Sequence, residues 1–323
     1  MVVNMSQESR SKVLFIAGPG RSGSTLLDML LGQINGFCST GELRFIWKRS
    51  FGQNQLCGCG KPFRECEFWT DVVREAFGGF DNVNHERLEG LRYSAEHRVS
   101  NGVSINGSDD LRVPYKDYFE ACSRLYQAIH RVSGSEFIVD SSKNIANGFL
   151  LSTLPDIDLF TVHLIRDSRA VAYSWQREKI RPEIHWEQKF MSQRGILKSA
   201  SRWNSRNMLA QKLEHASKKY TFLRYEDLVN DPQGRLAKLL TDLEIRRDSF
   251  DFLSGYRANL KPSHTVSGNP VRFVSREIEI QPDMQWRNNM ARHQKLLVTL
   301  MTLPLLLKYG YLKEDRSNDR VAG

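Results

Sequence analysis

The sequence predicts an α/β fold in which helices cover both faces of a parallel sheet with a P-loop-like turn. Apolar runs alternate with helical patterns along the chain, as they do in parallel sheets. The runs are continuous in Val, Ile, Leu and Phe, which is typical of strands covered on both faces. A chain of 323 residues could hold two domains. Because no Pro/Gly/Ser linker divides it, we expect a single domain over residues 1–323.

Each predicted strand is identified by an apolar run that ends in a polar residue. The first strand, Lys12–Ala17, leads through a glycine turn into the helical pattern LLDMLLG, and later runs start at Phe137, Leu159 and Tyr220. Helical patterns separate the strands over Tyr115–Val132, Asn147–Leu154, Arg169–Glu178, Trp186–Ser217 and Pro232–Leu243. The strands end at Gly18, Asp140, Arg166 and Tyr225. Ligands bind outside such carboxyl ends, so these tips are expected to face one crevice.

Three segments depart from this alternation. Residues 78–114 are polar and glycine-rich and are predicted to be an insertion, and residues 262–285 are predicted to be an irregular cofactor or acceptor loop. Residues 313–323 are expected to form a flexible tail. The apolar stretch from Leu296 is interrupted at Pro304 and is too short to span a membrane, which favours a buried C-terminal helix.

The charge balance favours anionic ligands. Lys and Arg number 46 against 37 Asp and Glu, giving a formal charge of +9. A nucleotide, a nucleic acid, an anionic glycan or a membrane surface would suit that charge, and so would simple solubility. The polar N-terminal residues lack the apolar core of a secretion signal, and five cysteines are an odd number. We therefore expect a cytoplasmic protein.

A first anion site is predicted in the turn GPGRSGST, residues 18–25. The turn has the glycine spacing of a P-loop, but Ser24 stands where the lysine belongs. Its backbone N–H groups and the following helix N-terminus would still point at an anion, and Arg21 would add a cation. The missing lysine disfavours ATP chemistry. The predicted binding residues are Gly20, Arg21, Ser22, Gly23, Ser24 and Thr25.

A second anion site is predicted at Arg166, which ends the strand LFTVHLI. Ser174 follows eight residues later, about two helical turns into the next helix. A simple helix cap by Asp167 or Ser168 is compatible with this role. Two anion sites on two strand tips require a ligand with two phosphate poles.

These motifs resemble the paired signatures of the sulfotransferases that use 3′-phosphoadenosine 5′-phosphosulfate (PAPS). GRSGSTLL resembles their 5′-phosphosulfate loop and LIRDSRAVAYS their 3′-phosphate strand and helix, while RYEDLVNDP matches a recurrent family segment. The resemblance implies PAPS as donor, 3′,5′-adenosine bisphosphate as product and no required metal. It also implies that Tyr225 lies near the adenine. GNPVR, Trp286 and YGY resemble bacterial members, in which Arg272 would close over the 3′-phosphate.

Glu42 and Lys143 are the candidate catalytic residues beside Arg21. Glu42 lies where a second strand tip is expected, and it resembles the catalytic glutamate of tyrosylprotein and carbohydrate sulfotransferases. It could instead complement a helix dipole. Lys143, in the DSSK that bacterial relatives often carry, would meet charge on the leaving phosphate. His163 lies mid-strand and is expected in the core. The acceptor is expected to be a hydroxyl of a carbohydrate, peptide or small metabolite.

Cys57, Cys59 and Cys66 leave three interpretations open: a disulfide, free thiols or a zinc site. Zinc usually takes four ligands, and His85 is a possible fourth that nothing else marks. We assign no metal ligand from the sequence.

Two other functions compete with sulfuryl transfer. A P-loop kinase or NTPase would need magnesium, for which Asp140 is the one candidate ligand. A non-catalytic nucleotide- or RNA-binding protein would use the positive charge alone. We expect no nucleic-acid partner, and the sequence leaves the oligomeric state open.

Overall fold

A five-stranded parallel sheet forms the centre of the computed structural model, which describes residues 10–101, 112–246 and 249–312. The strand order is β2-β3-β1-β4-β5. The strands are β1 Ser11–Ala17, β2 Phe37–Gly41, β3 Phe137–Lys143, β4 Ile157–Ile165 and β5 Lys219–Arg224. The predicted fold class is confirmed, because a parallel sheet lies between helices.

The helices cover both faces of this sheet and add a lobe at its β5 side. They are α1 Ser24–Leu31, α2 Glu67–Phe77, α3 His85–Ser100, α4 Lys116–Ser133, α5 Ile145–Ser152, α6 Ser168–Gln176, α7 Ile196–Gln211, α8 Tyr225–Asn230, α9 Pro232–Asp242, α10 Gln285–Asn289 and α11 Arg292–Lys308. A second, antiparallel sheet joins β6 Leu253–Ser254, β7 Arg257–Asn259 and β8 Glu277–Glu279.

Burial on both faces explains why the central strands have continuous apolar sequences. In β1, Val13 and Phe15 pack into one core cluster, and Leu14 and Ile16 pack into the other. All seven residues of β1 pair in register with β4, from Ser11 with Ile157 to Ala17 with His163. The strand tips therefore end together, which places the following loops at one edge.

The helix predicted over Trp186–Ser217 is wrong at both ends. The α-helix covers only Ile196–Gln211, because the chain before Gly195 is irregular and a 3₁₀ turn follows at Lys212–Ala216. Residues 177–195 are therefore a loop on the site side of the molecule rather than helix.

The segment 78–114, expected as an insertion, contains the well-formed helix α3. Asn84 caps that helix by accepting a hydrogen bond from the Arg87 backbone N–H. Arg92 and Glu96 are buried within it. Residues 102–111 of the segment lie outside the described residues, as does the tail expected over 313–323.

Residues 262–285 are irregular apart from β8 and a 3₁₀ turn at Pro270–Phe273. The prediction of a buried C-terminal helix is wrong for one face of α11. Val298, Thr302 and Leu306 are buried, whereas Leu296 and Leu300 are each 60% exposed. None of the helices in the described ranges combines the length and apolar character needed to cross a membrane.

Candidate active site

The backbone of the glycine turn between β1 and α1 packs closely against the residues around it. Gly23, the residue before α1, has φ 89° and packs against an aromatic ring. A Cβ there would lie 2.3 Å from the ring of Tyr225. Arg21 also has a positive φ, 71°, which is uncommon for a residue with a side chain. The turn thus holds a strained backbone against the residue that begins α8.

Buried donors in this turn lack protein partners. The Nε, Nη1 and Nη2 atoms of Arg21 and the Oγ atom of Ser22 are buried without a hydrogen-bond partner among the described residues. Burial lowers the pKa of Arg21, against the charge of Glu42, which raises it. Buried polar groups are normally hydrogen-bonded, so these atoms indicate a missing acceptor. They fit an anionic group.

Glu42 and Lys143 meet at the tips of β2 and β3. Lys143 Nζ donates to Glu42 Oε1 at 2.6 Å and to the Ser141 carbonyl at 2.9 Å. Only 13% of the Glu42 side chain and 15% of the Lys143 side chain are exposed. The Glu42 backbone N–H donates to the Val266 carbonyl at 2.8 Å. The two predicted catalytic residues therefore form a largely buried ion pair, and a backbone hydrogen bond fixes Glu42.

Asp140 shapes the tip that presents Lys143. Its carboxylate accepts hydrogen bonds from the Ser142 backbone N–H at 2.9 Å and from the Tyr126 hydroxyl at 2.6 Å. Asp140 is fully buried, and burial raises its pKa. These contacts give Asp140 a structural role in the tip of β3.

A buried charge network fixes the chain just after Glu42. Arg44 Nε donates to Glu96 Oε1 at 2.7 Å, and Arg92 Nη1 lies 2.8 Å from Glu96 Oε2. The Arg44 backbone N–H also donates to Ser142 Oγ at 3.0 Å. The sequence did not identify these residues, because an arginine and a glutamate 52 positions apart carry no local signal.

Arg166 lies at the β4 tip with a carboxylate already against it. Its Nη2 atom lies 3.1 Å from Asp283 Oδ2, and its Nη1 donates to the Arg21 carbonyl at 3.3 Å. Its guanidinium stacks 4.5 Å from the centre of the Tyr225 ring. Arg177 Nη1 lies 3.8 Å from the same Asp283 carboxylate. The structure thus brings together Arg166, Arg21 and Tyr225 as predicted, and it adds Asp283.

The helix after Arg166 is capped as the sequence suggested. Asp167 accepts from the Arg169 backbone N–H at 2.8 Å. Arg169 is not a solvated surface residue, since it pairs with Asp167 at 2.7 Å and is 8% exposed. Ser174 is buried on α6, one turn before Arg177. Its contact with an anion stays a prediction.

Arg272 lies at the Glu42 end of the site. Its Nη1 donates to the Thr265 carbonyl at 2.6 Å and its Nη2 to the Leu56 carbonyl at 2.8 Å. A Cβ on neighbouring Gly268 would lie 3.6 Å from the Arg272 Cδ and 3.9 Å from Glu42 Oε1. This placement does not support the expected contact with a 3′-phosphate, because the guanidinium is directed at backbone carbonyls instead.

A cavity of about 260 Å³ opens beside Tyr225. Its lining combines aromatic and charged side chains, among them Tyr225, Asp283, Trp286, Arg287 and Tyr311. The cavity lies beside the Tyr225 ring, which also contacts Arg166 and Gly23. Its lining includes one cation, Arg287, and the carboxylates of Asp167, Glu226 and Asp283.

Three histidines have positions that bear on their predicted roles. His163 is buried in β4, with Nδ1 2.7 Å from the Tyr220 hydroxyl and Nε2 3.0 Å from Asn207 Oδ1. His163 is 1% exposed, which confirms a core position, and this burial lowers its pKa to about 4. His85 lies against Gly52 rather than beside the cysteines. His264 takes the place near the cysteines that the sequence suggested for His85.

Comparison with known proteins identifies the family of the chain. The profile of a family described as "Sulfotransferase family" matches residues 14–249. That range covers β1 through α9, and so includes the glycine turn, Glu42, Lys143 and Arg166. A search of curated protein sequences found no significant match.

Two solved structures share the fold over nearly the whole chain. A sulfotransferase domain from the curacin biosynthetic pathway has a TM-score of 0.52 at 15% identity, covering 92% of this chain and 98% of its own. A sulfotransferase domain from the Synechococcus PCC 7002 olefin synthase has a TM-score of 0.51 at 18% identity, covering 95% and 97%.

Proposed function

The chain belongs to the sulfotransferase family, and on that premise we propose that it transfers a sulfuryl group from PAPS to an acceptor hydroxyl. The observation that carries the proposal is the set of buried donors on Arg21 and Ser22 that lack a protein acceptor. A phosphosulfate would supply that acceptor next to a carboxylate, Glu42, that can take a proton.

The proposed donor site has two ends. The backbone N–H groups of residues 20–25, with Arg21 and the hydroxyls of Ser24 and Thr25, would hold the 5′-phosphosulfate. Arg166, with Ser174, would bind the 3′-phosphate. The cavity beside Tyr225 gives the adenine an aromatic neighbour.

PAPS acts as a substrate in this reaction. The acceptor oxygen forms a bond to sulfur while the bond from sulfur to the 5′-phosphate oxygen breaks, and 3′,5′-adenosine bisphosphate leaves. Glu42 takes the proton of the acceptor hydroxyl. Arg21 and Lys143 neutralise the charge that grows on the leaving phosphate. Side chains are available to meet the charges of this step, and the absence of a metal requirement stays a prediction.

The ion pair between Lys143 and Glu42 links proton transfer from the acceptor to departure of the leaving phosphate. Before the substrates bind, Lys143 fixes the Glu42 carboxylate at 2.6 Å. As Glu42 becomes protonated, its attraction for Lys143 falls and the ammonium is free to meet the leaving group. Loss of either residue therefore affects both proton transfer and departure of the product.

The kinase alternative is weaker because its magnesium ligand is missing. Asp140 was the candidate, and its carboxylate is fully buried against Tyr126 and Ser142. A binding protein without catalysis would not need the enclosed Glu42–Lys143 pair. We keep the absence of a nucleic-acid partner, a cytoplasmic location and a single domain over residues 1–323 as predictions.

The acceptor side is proposed to lie at residues 177–195. Burial lowers the pKa of Lys179, and the nearby charges of Arg21 and Arg177 lower it further. Arg181 is less suited to an acceptor, because it pairs with Glu183 at 2.8 Å. A carbohydrate, peptide or small-metabolite hydroxyl is the proposed acceptor.

The test is product formation by the full chain with PAPS and a panel of neutral and anionic hydroxyl compounds, followed by mass spectrometry. We expect a sulfated product together with adenosine bisphosphate, and loss of both in Glu42→Gln. Glu279→Gln, an acid-to-amide change at an exposed position on β8, is the matched control. A Glu42→Gln variant as active as the wild type would contradict the assigned base. Transfer of phosphate from ATP would contradict the reaction class.

A further inference from the structure

Three cysteines and one histidine converge outside the proposed active site. The sulfur atoms of Cys57, Cys59 and Cys66 and a ring nitrogen of His264 all lie within 4.8 Å of one another. Cys66 Sγ is 3.2 Å from His264 Nδ1, Cys57 Sγ is 4.0 Å from it, and the Sγ atoms of Cys59 and Cys66 are 3.7 Å apart. The histidine comes from a segment about 200 residues away, so the cluster is a product of the fold.

These spacings match a tetrahedral metal site. Bonds of about 2.3 Å from zinc to sulfur and about 2.0 Å to nitrogen place tetrahedral ligand atoms roughly 3.5–3.8 Å apart. The 3.7 Å between Cys59 and Cys66 falls within this range. The distances from His264 Nδ1, 3.2 Å to Cys66 and 4.0 Å to Cys57, lie just below and just above it. A disulfide would require about 2.05 Å between the sulfurs, and the five cysteines are free in the described residues.

The groups around the four ligands orient them for a common centre. The indole N–H of Trp69 donates to the His264 carbonyl at 2.7 Å, and the Phe68 ring stacks on the His264 ring at 4.9 Å. Such outer contacts are typical around bound metals because they fix the direction of the ligands.

The backbone around Cys57 makes a tight turn that leaves no room for a side chain at Gly58. Gly60 N–H donates to the Cys57 carbonyl at 2.8 Å, and Cys57 N–H donates to the Lys61 carbonyl at 2.8 Å. A Cβ on Gly58 would lie 2.4 Å from Thr265 Oγ1. The turn is thereby pressed against the residue that follows His264.

We propose that Cys57, Cys59, Cys66 and His264 bind a structural zinc ion. Thiolates with one imidazole in a tetrahedral set select zinc over magnesium or calcium, which prefer oxygen ligands. Four protein ligands leave no open position for substrate, so the ion holds the fold and takes no part in the transfer.

Backbone hydrogen bonds connect the zinc site to Glu42. Gly58 N–H donates to the Thr265 carbonyl at 2.9 Å, and Val266 N–H donates to the Thr40 carbonyl at 2.9 Å. The Val266 carbonyl in turn accepts from the Glu42 N–H. A zinc ion at His264 would thus fix the segment 264–266 along the edge of β2, and with it the position of Glu42.

The first test is metal analysis of the full chain, purified without chelators and without metal-affinity resins. We expect about one zinc ion per chain by inductively coupled plasma mass spectrometry. His264→Ala and Cys59→Ser should lower the content at least about tenfold. His85→Ala and Cys38→Ser are matched controls, since each removes the same residue type outside the cluster, and both should keep the zinc. Chelation should lower the unfolding temperature of the wild type but not that of His264→Ala.

A second measurement does not depend on any variant folding. Cobalt added to the chelated wild type should give the visible bands of tetrahedral cobalt and the near-ultraviolet charge-transfer bands of thiolate ligands. Zinc below about 0.1 per chain together with no such spectrum would overturn the proposal. Iron in place of zinc would overturn it, as would a disulfide between Cys59 and Cys66 in protein purified under reducing conditions. None of these three results bears on the donor site, which is tested by nucleotide binding.

Discussion

The two ends of the proposed donor site differ in what meets their cations. At the Arg21 end, buried nitrogens of the guanidinium and the Ser22 hydroxyl lack partners among the described residues. At the Arg166 end, the Asp283 carboxylate lies 3.1 Å from the arginine and 3.8 Å from Arg177. One end is therefore prepared for an anion, whereas the other already holds one supplied by the chain.

This difference implies two kinds of binding. The Arg21 end should bind its phosphosulfate with little rearrangement, because the loop is fixed by β4, α1 and Tyr225. At the Arg166 end, a bound 3′-phosphate would have to displace the Asp283 carboxylate, because that carboxylate already pairs with the arginine. The 3′-phosphate then contributes less net affinity than its contacts suggest, since an existing ion pair is lost.

The largest expected effect concerns the Glu42–Lys143 pair beside the Arg21 end. Glu42→Gln should slow transfer about 10²–10⁴-fold, and Lys143→Ala about 10²–10³-fold. Because the two side chains are in direct contact, the double variant should lose little more than the worse single variant. Steady-state and single-turnover rates check this, with Lys238→Ala on α9 as the exposed lysine control. Fully additive losses would contradict a shared role.

The next largest effect is a change in nucleotide affinity that distinguishes the two ends of the donor site. Arg166→Ala should weaken binding of 3′,5′-adenosine bisphosphate by roughly 10- to 100-fold but leave binding of adenosine 5′-monophosphate nearly unchanged. Arg21→Ala should weaken both ligands. Isothermal calorimetry measures the four affinities, and Arg257→Ala on exposed β7 serves as the control. If Arg166→Ala weakened both ligands equally, the arginine would not be specific to the 3′-phosphate.

A stability effect is expected below the Arg21 end, at Asp28 in α1. Burial raises the pKa of Asp28 to about 8. Its pKa in an unfolded chain is about 3.9, so the folded protein binds more protons between these values and its stability falls as pH rises from about 4 to 8.

Asp28→Asn should remove this pH dependence. We expect it to raise the free energy of unfolding by on the order of a few kcal/mol at pH 8 and much less at pH 5. Urea unfolding at the two pH values measures the difference, with exposed Asp251→Asn as the control. An equal gain at both pH values would show that the buried carboxyl does not titrate as described.

The smallest effect is expected at Asp283. Asp283→Asn removes the carboxylate that competes for Arg166, so 3′,5′-adenosine bisphosphate should bind about 3- to 10-fold more tightly. Adenosine 5′-monophosphate should bind as before. Competition with a fluorescent nucleotide resolves changes of this size. Weaker bisphosphate binding in Asp283→Asn would mean that Asp283 supports the ligand rather than replaces it.

The sequence predicted those parts of the site that are encoded locally. The turn at residues 18–25 and the strand tip at Arg166 carry their glycines, hydroxyls and cations within a few residues of a buried strand. Parallel strands bring such tips to one edge, so their proximity follows from the fold class. Glu42 was predicted at a strand tip because only a short segment separates it from the first helix. In the structure its carboxylate lies 2.6 Å from Lys143 Nζ.

The parts that the sequence did not predict depend on contacts between distant segments. His264 reaches the cysteines through the packing of irregular residues against the edge of β2, and no periodic pattern marks such a path. Asp283 lies in the same irregular region, where a single acidic residue has no distinctive context. The α11 leucines were misjudged for a related reason, since an apolar helix does not indicate from its sequence which face is covered.

Calorimetric titration of the wild type with 3′,5′-adenosine bisphosphate, without metal and beside a titration with ATP and magnesium, tests the central claim most directly. A two-ended PAPS site predicts clear binding of the bisphosphate without added metal and weak or absent binding of ATP with magnesium. Binding of ATP with magnesium and none of the bisphosphate would contradict the sulfuryl-donor site.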